Sequence, residues 1–303
     1  MDASGNASLG VRDSNWWDAT REWVRGGLRV PQSQPRIGLA LGGGFARGIA
    51  HVGVLRAFEK NGIPIHAIGG VSAGAIVAAA FAGGADSYRI EEAALSMKLR
   101  DVARWTLNPL GLAGSDRMTV FLARLLPGKR FEDLKMPLAI VATDLCTGRP
   151  VVYRDKGDIV LPIRASCAYP GLFLPVEYQN RTLVDGFVAM EVPAPPLRGL
   201  GATHVISVAI PNRADDREFG NMLSIINRSF QILSSRTEAE WRRASNLVIE
   251  PDVARIGWDS FADARRMIEL GVRAAMAVIP TVKKWFGNPV PARTEGSSLP
   301  ATA

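Results

Sequence analysis

The chain has few of the residues that build disulfide or metal scaffolds. It contains two cysteines, Cys146 and Cys167, and three histidines in 303 residues. Two cysteines exclude a disulfide framework and a zinc site made of cysteine alone. The three histidines leave few candidates for an imidazole base in catalysis.

Long apolar runs are also missing. A membrane-spanning helix needs about 20 consecutive apolar residues, and the best stretch, residues 73–85, is too short and contains glycine. The N-terminus has neither the basic segment nor the apolar segment of a secretory signal. We therefore expect an intracellular, cytoplasmic protein whose contact with a membrane, if any, is peripheral.

Apolar residues and positive charge are abundant. Hydrophobic residues make up 47% of the chain and charged residues 21%, which excludes a wholly disordered chain. Lys and Arg number 36 against 29 Asp and Glu, a net charge of +7. Such a surface favours anionic partners such as nucleic acid, anionic lipid or a phosphorylated substrate. Because no nucleic-acid recognition motif accompanies the charge, we expect no nucleic-acid partner.

Composition divides the chain into three regions. Residues 1–35 form an N-terminal appendage with a polar start and a Trp- and Arg-rich segment. Trp16, Trp17, Trp23 and the nearby arginines predict either a helix packed on the domain or an interfacial helix on an anionic membrane. Residues 36–286 are predicted to be a single domain, and residues 287–303 a disordered tail.

Strands and helices alternate through the predicted domain. Apolar runs predict strands over residues 36–41, 64–70, 138–143, 151–153, 182–184, 204–208 and 246–250. Helical spacing predicts helices over 46–61, 73–82, 91–98, 119–126, 219–243 and 261–286, the last interrupted at Pro280. This alternation predicts an α/β fold with a mainly parallel central sheet flanked by helices.

A glycine-rich loop, LGGGFARG at residues 41–48, joins the first strand to the first helix. Such a loop exposes backbone amides at a helix N-terminus, where they bind anionic oxygen. Its spacing does not match the dinucleotide pattern Gly-x-Gly-x-x-Gly, and the Lys-Ser/Thr pair of a P-loop is missing. The remaining interpretations are an oxyanion hole for acyl transfer and a tight turn that simply needs glycine.

A Gly-x-Ser-x-Gly pattern follows the second strand, in GGVSAG at residues 69–74. A serine between a strand and a helix is the context that a nucleophile elbow requires. The pattern predicts Ser72 as a nucleophile, with Gly70 and Gly74 as the small neighbours of a strained turn. The alternative is a serine that caps a structural helix.

No histidine suits the role of the base that would activate Ser72. His66 and His204 begin their strands, whereas α/β sites lie at the carboxyl ends of strands. His51 lies inside the first helix, and we interpret it as a packing or supporting residue. The expected base is therefore a carboxylate that takes the serine proton directly.

Two aspartates are candidates for that carboxylate. Asp185 follows the apolar strand of residues 182–184 and precedes Gly186, so it lies at a strand end. Its other interpretation is a turn-forming aspartate. Asp144, directly after the strand of residues 138–143, is the rival base.

Taken together, these motifs resemble the patatin-like phospholipase family in its bacterial branch. The resemblance covers most of residues 36–210 and is carried by GLALGGGFARGIAHVGVL, GGVSAGA, TDLCTGRPV, IRASCAYPGLFLPV and LVDG. It implies an α/β fold and a Ser–Asp dyad, Ser72 and Asp185, that cleaves acyl esters of lipids. It also implies that no metal or other cofactor takes part.

The expected function is that of a serine acyl hydrolase of the phospholipase A or lysophospholipase type, with a lipid substrate and an acyl-enzyme intermediate. The oxyanion hole is assigned to the amides of Gly43, Gly44, Phe45 and Ala73. Supporting roles are assigned to Gly42, Arg47, Gly48, Gly70, Gly74 and Gly186. The alternative is a regulatory or adaptor protein on the same scaffold with weak or vestigial esterase activity.

Two aromatic residues depart from the family pattern. Phe45 stands in the glycine loop where the family usually has a small residue, and Phe187 follows Asp185-Gly186 where it has glycine or alanine. We hypothesise that both rings line or narrow the acyl pocket. Arg164 is a further pocket candidate, either in contact with a lipid phosphate or in a salt bridge.

Overall fold

The computed structural model describes residues 34–211 and 222–287. The chain divides into two units between Gln34 and Pro35, and all elements below belong to the second unit. The predicted Trp- and Arg-rich helix with Trp16, Trp17 and Trp23 lies outside the described residues, as does the predicted tail from residue 288 onward.

The described residues contain eleven strands and eight α-helices. The strands are β1 Ile37–Leu41, β2 Ala67–Gly70, β3 Arg104–Asn108, β4 Gly111–Gly114, β5 Leu138–Asp144, β6 Pro150–Tyr153, β7 Gly171–Phe173, β8 Val176–Tyr178, β9 Arg181–Asp185, β10 His204–Val208 and β11 Leu247–Ile249. The helices are α1 Ala50–Lys60, α2 Ala73–Ala82, α3 Ser87–Ser96, α4 Asp116–Leu125, α5 Val160–Ser166, α6 Ala194–Gly199, α7 Met222–Ala244 and α8 Ala264–Trp285. Among these helices none is long and apolar enough to cross a bilayer.

The central sheet has the order β11-β10-β1-β2-β5-β9-β8, with β6 also paired to β5. The first five strands in this order are parallel, whereas β9, β8 and β6 are antiparallel to their neighbours. Every residue of β1 and β5 is buried, as expected for strands covered on both faces. The predicted α/β fold with a mainly parallel central sheet flanked by helices is confirmed.

Alternate residues of β1 enter two different cores. Leu39 and Leu41 belong to the larger core, with α1, α2 and α8, whereas Ala40 packs in a smaller core with Leu197 of α6. The strand period of two produces this division, because successive side chains point to opposite faces. The larger core lies on the face that also carries the serine turn.

Helices α1 and α8 are in direct backbone contact. A Cβ atom built on Gly53 would lie 2.0 Å from the carbonyl oxygen of Ile268, and one on Gly271 would lie 2.0 Å from that of Ala50. Only glycine fits at these two positions. The contact fixes α1, and with it the loop that precedes α1.

Several predicted helices differ from the structure by a few residues at their ends, and two differ in the course of the helix itself. The helix predicted over 46–61 begins with a 3-10 turn, Phe45–Ile49, before α1. The predicted interruption at Pro280 is wrong, because α8 is continuous through that residue. A proline removes one helical hydrogen bond, but the buried side chains of Ile279 and Val282 on either side of it pack in the core and hold the helix.

Candidate active site

Ser72 lies on the turn between β2 and α2. Its backbone has φ 53° and ψ −124°, a conformation that a residue with a side chain rarely adopts. A Cβ atom on Gly70 would lie 2.3 Å from the carbonyl oxygen of Gly74, and one on Gly74 would lie 2.3 Å from that of Leu41. The two glycines are therefore required by the close approach of backbone on both sides of the serine.

The hydroxyl of Ser166, at the end of α5, holds the serine turn in place. It accepts a hydrogen bond from the Ser72 amide at 2.9 Å and donates one to the carbonyl of Val141 at 2.6 Å. The turn is thereby tied to the middle of β5. Ser166 was not predicted from the sequence, because nothing in the run RASCAY indicates that this serine is buried or that it forms these two hydrogen bonds.

Asp185 reaches the level of Ser72 through strand register. Gly70 of β2 pairs with Ile140 of β5, so Ser72, two residues further on, lies level with Ala142. Asp185 in the antiparallel strand β9 pairs directly with Ala142. Asp185 is the last residue of β9, as expected from the sequence. Because β9 is antiparallel to β5, it enters the sheet from the edge at which the parallel strands end, and Asp185 lies near that edge.

The Asp185 carboxyl group is buried, with 1% of the residue exposed. Its Oδ1 accepts a hydrogen bond from the Phe187 amide at 2.9 Å, and its Oδ2 has no hydrogen-bond partner among the described residues. Burial raises the pKa of Asp185 to about 7, against the opposing effects of the Phe187 amide and the Ser72 hydroxyl. The serine hydroxyl is therefore near enough to the carboxyl group to lower its pKa, although no hydrogen bond between the two is formed.

The glycine loop lies against this pair. A Cβ atom on Gly43 would lie 3.5 Å from both the Cβ of Ser72 and a ring carbon of Phe187. The Gly42 amide donates to the carbonyl of Val208 at 3.0 Å, and the Gly43 amide donates to the carbonyl of Glu191 at a long 3.4 Å.

The amides that follow in the loop, and the first amide of α2, differ from these in their hydrogen bonding. Among the described residues, the amides of Gly44 and Ala73 donate no backbone hydrogen bond. Phe45 follows with φ 50°, and its ring packs edge-on against Tyr169 and Trp258 at 4.9 and 5.0 Å between centroids. Gly48, at the far end of the loop, lies against the first residue of α2.

The three histidines lie where no imidazole joins Ser72 to Asp185. His51 is fully buried in α1, and its Nε2 lies 2.8 Å from the carbonyl oxygen of Gly42, to which it donates. Burial lowers the pKa of His51 to about 4, so the ring is neutral at neutral pH. His66 directly precedes β2 and His204 begins β10, at the other end of the sheet.

The remaining charged candidates occupy separate positions. Arg47 is buried beside Ser72 and Asp185, and burial lowers its pKa. Asp144 accepts hydrogen bonds from the amides of two residues in the turn that follows β5. Arg164 donates to the hydroxyl of Ser115 at 3.2 Å.

Ser72 opens onto two spaces, which we call the chamber and the apolar cavity. The chamber contains the carboxyl group of Asp185 and is lined by Gly43, Gly44, Phe45, Arg47, Ser72, Tyr169, Asp185, Phe187 and Asn227. Tyr169 donates to Oδ1 of Asn227 at 3.1 Å. Sequence reasoning missed both residues, and Asn227 comes from α7, far away in the chain.

The apolar cavity encloses about 760 Å³, including its opening to solvent. It extends from Ser72 and Phe45 between α2, α3 and α4, and only Ser72 and Cys167 among its lining residues carry a polar side-chain atom. Burial raises the pKa of the Cys167 thiol well above its usual range, so this thiol is neutral. Phe187 and Arg164 lie outside this lining.

The polar groups around Ser72 do not form a metal site. Within residues 34–211 and 222–287, no three His, Cys, Asp or Glu side chains are grouped so that they could hold a metal ion. What the arrangement offers is a serine hydroxyl, a carboxyl group of raised pKa, free amides and an apolar cavity. These are the parts that acyl-transfer sites on α/β folds use.

The comparison with protein families agrees with this arrangement. The profile of the patatin-like phospholipase family matches residues 39–198, which is more than half of the chain. The chain belongs to the patatin-like phospholipase family. The matched segment runs from β1 into α6 and includes both Ser72 and Asp185.

Similar proteins come from bacteria and mammals. The uncharacterized NTE family protein Rv1063c of Mycobacterium tuberculosis is 35% identical over 190 residues, covering 60% of this chain and 51% of that protein. The chain thus spans about half the length of this relative. Patatin-like phospholipase domain-containing protein 6 of Mus musculus is 30% identical over 198 residues, 62% of this chain and 14% of that protein. Among solved structures, VipD from Legionella pneumophila matches with a TM-score of 0.46 and 14% identity over 82% of this chain and 67% of that one.

Proposed function

We propose that the protein is a serine acyl hydrolase that cleaves carboxylic esters of lipids, with Ser72 as nucleophile and Asp185 as proton acceptor. One observation carries this proposal. The Ser72 side chain lies between a buried carboxyl group of raised pKa and an apolar cavity. A nucleophile needs a nearby base, and a lipid ester needs apolar space beside the reacting carbonyl.

The reaction starts from ionised Asp185. Its carboxylate takes the hydroxyl proton of Ser72 while Oγ bonds to the ester carbonyl carbon, giving a tetrahedral intermediate. The intermediate collapses as the carbon–oxygen bond to the alcohol breaks, and Asp185 returns the proton to that alcohol. Water then attacks the acyl-enzyme with the same proton transfers, which frees the fatty acid and restores Ser72.

Backbone amides stabilise the charge that develops on the carbonyl oxygen. The amides of Gly44 and Ala73 have no backbone acceptor among the described residues, which makes them the best donors, with Phe45 next in the loop. The Gly43 amide contributes less in this conformation, because it points to the carbonyl of Glu191. Loss of one such donor typically raises the activation barrier by about 3 kcal/mol.

The two spaces divide the substrate. The apolar cavity takes the acyl chain, and the chamber takes the alcohol side of the ester, where the Arg47 cation favours an anionic leaving group. This arrangement suits a phospholipid or a lysophospholipid. Membership of the patatin-like phospholipase family supports the same substrate class.

A fluorophosphonate probe tests the proposed nucleophile directly. The wild-type protein should be labelled and should release fatty acid from a panel of defined lipids, whereas Ser72→Ala should do neither. Ser229→Ala, which removes an exposed hydroxyl of α7 outside the chamber and the apolar cavity, serves as the matched control and should behave as wild type. A folded wild-type protein that takes no label would favour the regulatory or adaptor scaffold instead.

A further inference from the structure

Strands β3 and β4 form a hairpin that exposes several large apolar side chains. Leu107 is fully exposed, Leu110 is 67% exposed and Trp105 is 61% exposed. Leu112 on β4 and Val120 on the following helix α4 are also exposed. Single exposed leucines are ordinary, but this many on one short segment indicate a surface that binds a partner.

The hairpin presents these residues on an ordered support. Trp105 pairs with Ala113 and Asn108 pairs with Gly111. At the tip, the side chain of Asn108 accepts a hydrogen bond from the Leu110 amide at 2.9 Å. At the base, Arg104 donates to Asp116 at 2.6 Å. These bonds order the hairpin, and the pairing of β4 with β7 anchors it to the domain.

The surroundings of the hairpin are basic. Residues 98–129 contain six Lys and Arg against two Asp. One of the two, Asp116, is already paired with Arg104. Next to α4 lies an arginine groove, defined here by Arg89, Arg100, Arg117 and Arg124, which also contains Glu92 and Asp101.

The same segment forms one wall of the apolar cavity. Leu99, Val102, Met118, Phe121 and Leu125 line the cavity. The arginine groove and the apolar cavity also share Ala93, Met97, Phe121 and Leu125 as lining residues. The cavity that ends at Ser72 is thus separated by single side chains from a basic surface beside an apolar hairpin.

We propose that the β3–β4 hairpin and the arginine groove form a docking surface for an anionic lipid bilayer. Leu107 and Leu110 enter the edge of the acyl-chain region, and Trp105 lies at the level of the headgroups, where tryptophan is favoured. The arginines of the groove bind the negative headgroups. A role for this docking surface in catalysis rests on the proposed function. Binding of the surface to a bilayer does not depend on that function.

Charge decides between a bilayer and the other occupant, a second copy of this chain. Strand β3 is at the edge of its three-stranded sheet and offers unpaired backbone groups to another strand. Two copies would, however, bring two net-positive segments together, and like charges oppose that contact. An anionic bilayer complements both the apolar tip and the charge.

Vesicle binding tests the surface without any need for activity. The Ser72→Ala protein is sedimented with vesicles of phosphatidylcholine alone and with vesicles of phosphatidylcholine and phosphatidylserine in equal amounts. We expect binding to the anionic vesicles that weakens at high salt. The Leu107→Ser/Leu110→Ser variant should bind about tenfold or more weakly, because two leucines lose their apolar contact. Leu107→Asp provides a second, single-site test.

Matched controls locate the effect. Ile232→Ser/Leu233→Ser makes the same chemical change at two exposed positions of α7 and should bind as the parent does. Arg89→Gln/Arg124→Gln should lose most of the preference for anionic vesicles, whereas Arg265→Gln/Arg266→Gln on α8 should lose less. Circular dichroism confirms that each variant is folded.

The outcomes separate the docking surface from the proposed function. Hairpin variants are also made in the protein that keeps its native Ser72. Docking is supported if these variants still hydrolyse a water-soluble short-chain ester but no longer hydrolyse vesicle lipid. Absence of vesicle binding by the parent would overturn it, as would equal binding by the hairpin variant. The parent could instead form a dimer in solution that the hairpin substitutions dissociate while vesicle binding is unchanged. That result would assign the surface to a second copy of the chain and would also overturn the proposal of bilayer docking.

Discussion

Gly48 and Ala73 touch across the gap between the glycine loop and the helix that follows Ser72. A Cβ atom built on Gly48 would lie 2.6 Å from the Cβ of Ala73. The 3-10 turn that carries Gly48 therefore packs directly on the first residue of α2. The positions of the Gly44 and Ala73 amides relative to each other depend on this contact.

We predict that Gly48→Ala strongly impairs catalysis in a protein that still folds. The added methyl group must push α2 away, which misplaces the Ser72 hydroxyl and the Ala73 amide. A shift of about 1 Å can cost about a hundredfold in rate, whereas overpacking costs about 1–3 kcal/mol in stability. Ester hydrolysis and urea denaturation measure the two effects. Gly128→Ala, whose new Cβ would have no neighbour nearer than 3.4 Å, is the control.

Asp185 should govern the pH dependence of catalysis. In the proposed mechanism the carboxylate is the reactive form, and burial raises the pKa of this group to about 7. The value of kcat/KM for an uncharged ester should therefore rise with pH up to about 7, by about tenfold per unit below that pKa, and then level off. Asp185→Asn should abolish the reaction. A profile that levels off near pH 4 would contradict the assignment.

Asp185 and His51 should have opposite effects on stability in acid. The folded-state pKa of Asp185 is raised to about 7, so the stability associated with its protonated form is lost as the pH rises from about 4 to 7. The folded-state pKa of His51 is lowered to about 4, so its contribution is lost as the pH falls from 6.5 to about 4. Between these limits the two partly cancel.

Single substitutions should reveal the separate contributions of Asp185 and His51 to the pH dependence of stability. Asp185→Asn should make the free energy of unfolding fall more steeply on acidification from pH 6.5 to about 4. His51→Gln should make it fall less steeply, or rise. Urea midpoints at several pH values measure both slopes. Parallel curves for the wild type and the two variants would show that neither group titrates abnormally in the folded state.

Phe45 and Phe187 should differ in their effect on substrate choice. Phe45 lines the apolar cavity as well as the chamber, whereas Phe187 lines the chamber only. Phe45→Ala should therefore shift the preference towards longer or bulkier acyl chains, while Phe187→Ala should leave it unchanged and alter the preference for the alcohol group. Rates on a series of esters that differ only in chain length measure this. A shift in chain length caused by Phe187→Ala would contradict the division.

The sequence predicted those parts of the molecule that depend on local patterns. Apolar runs located the parallel strands, and glycines around Ser72 located the turn between β2 and α2, because backbone crowding there excludes other residues. The surface strands β3 and β4 were not predicted, since their exposed leucines do not alternate as a half-buried strand does.

Contacts between distant residues were beyond sequence reasoning. The register of β9 on β5 brings Asp185 close to Ser72. The antiparallel direction of β9 cannot be recognised from the residues of the strand. The hydrogen bonds of Ser166 to Ser72 and Val141 depend on the same assembly. Pro280 is the opposite case. A proline inside a helix predicts an interruption, but the helix continues because the residues on both sides of Pro280 pack in the core.

The segment from Leu99 to Leu125 carries cavity-lining residues before β3 and on α4, and exposed apolar residues on the β3–β4 hairpin and on α4. Under the proposed function and the proposed docking surface, exchanging the whole segment for that of a relative should therefore change both the preference for acyl chains and the binding to bilayers. Substitutions confined to the exposed hairpin should change bilayer binding alone, because no hairpin residue lines the cavity.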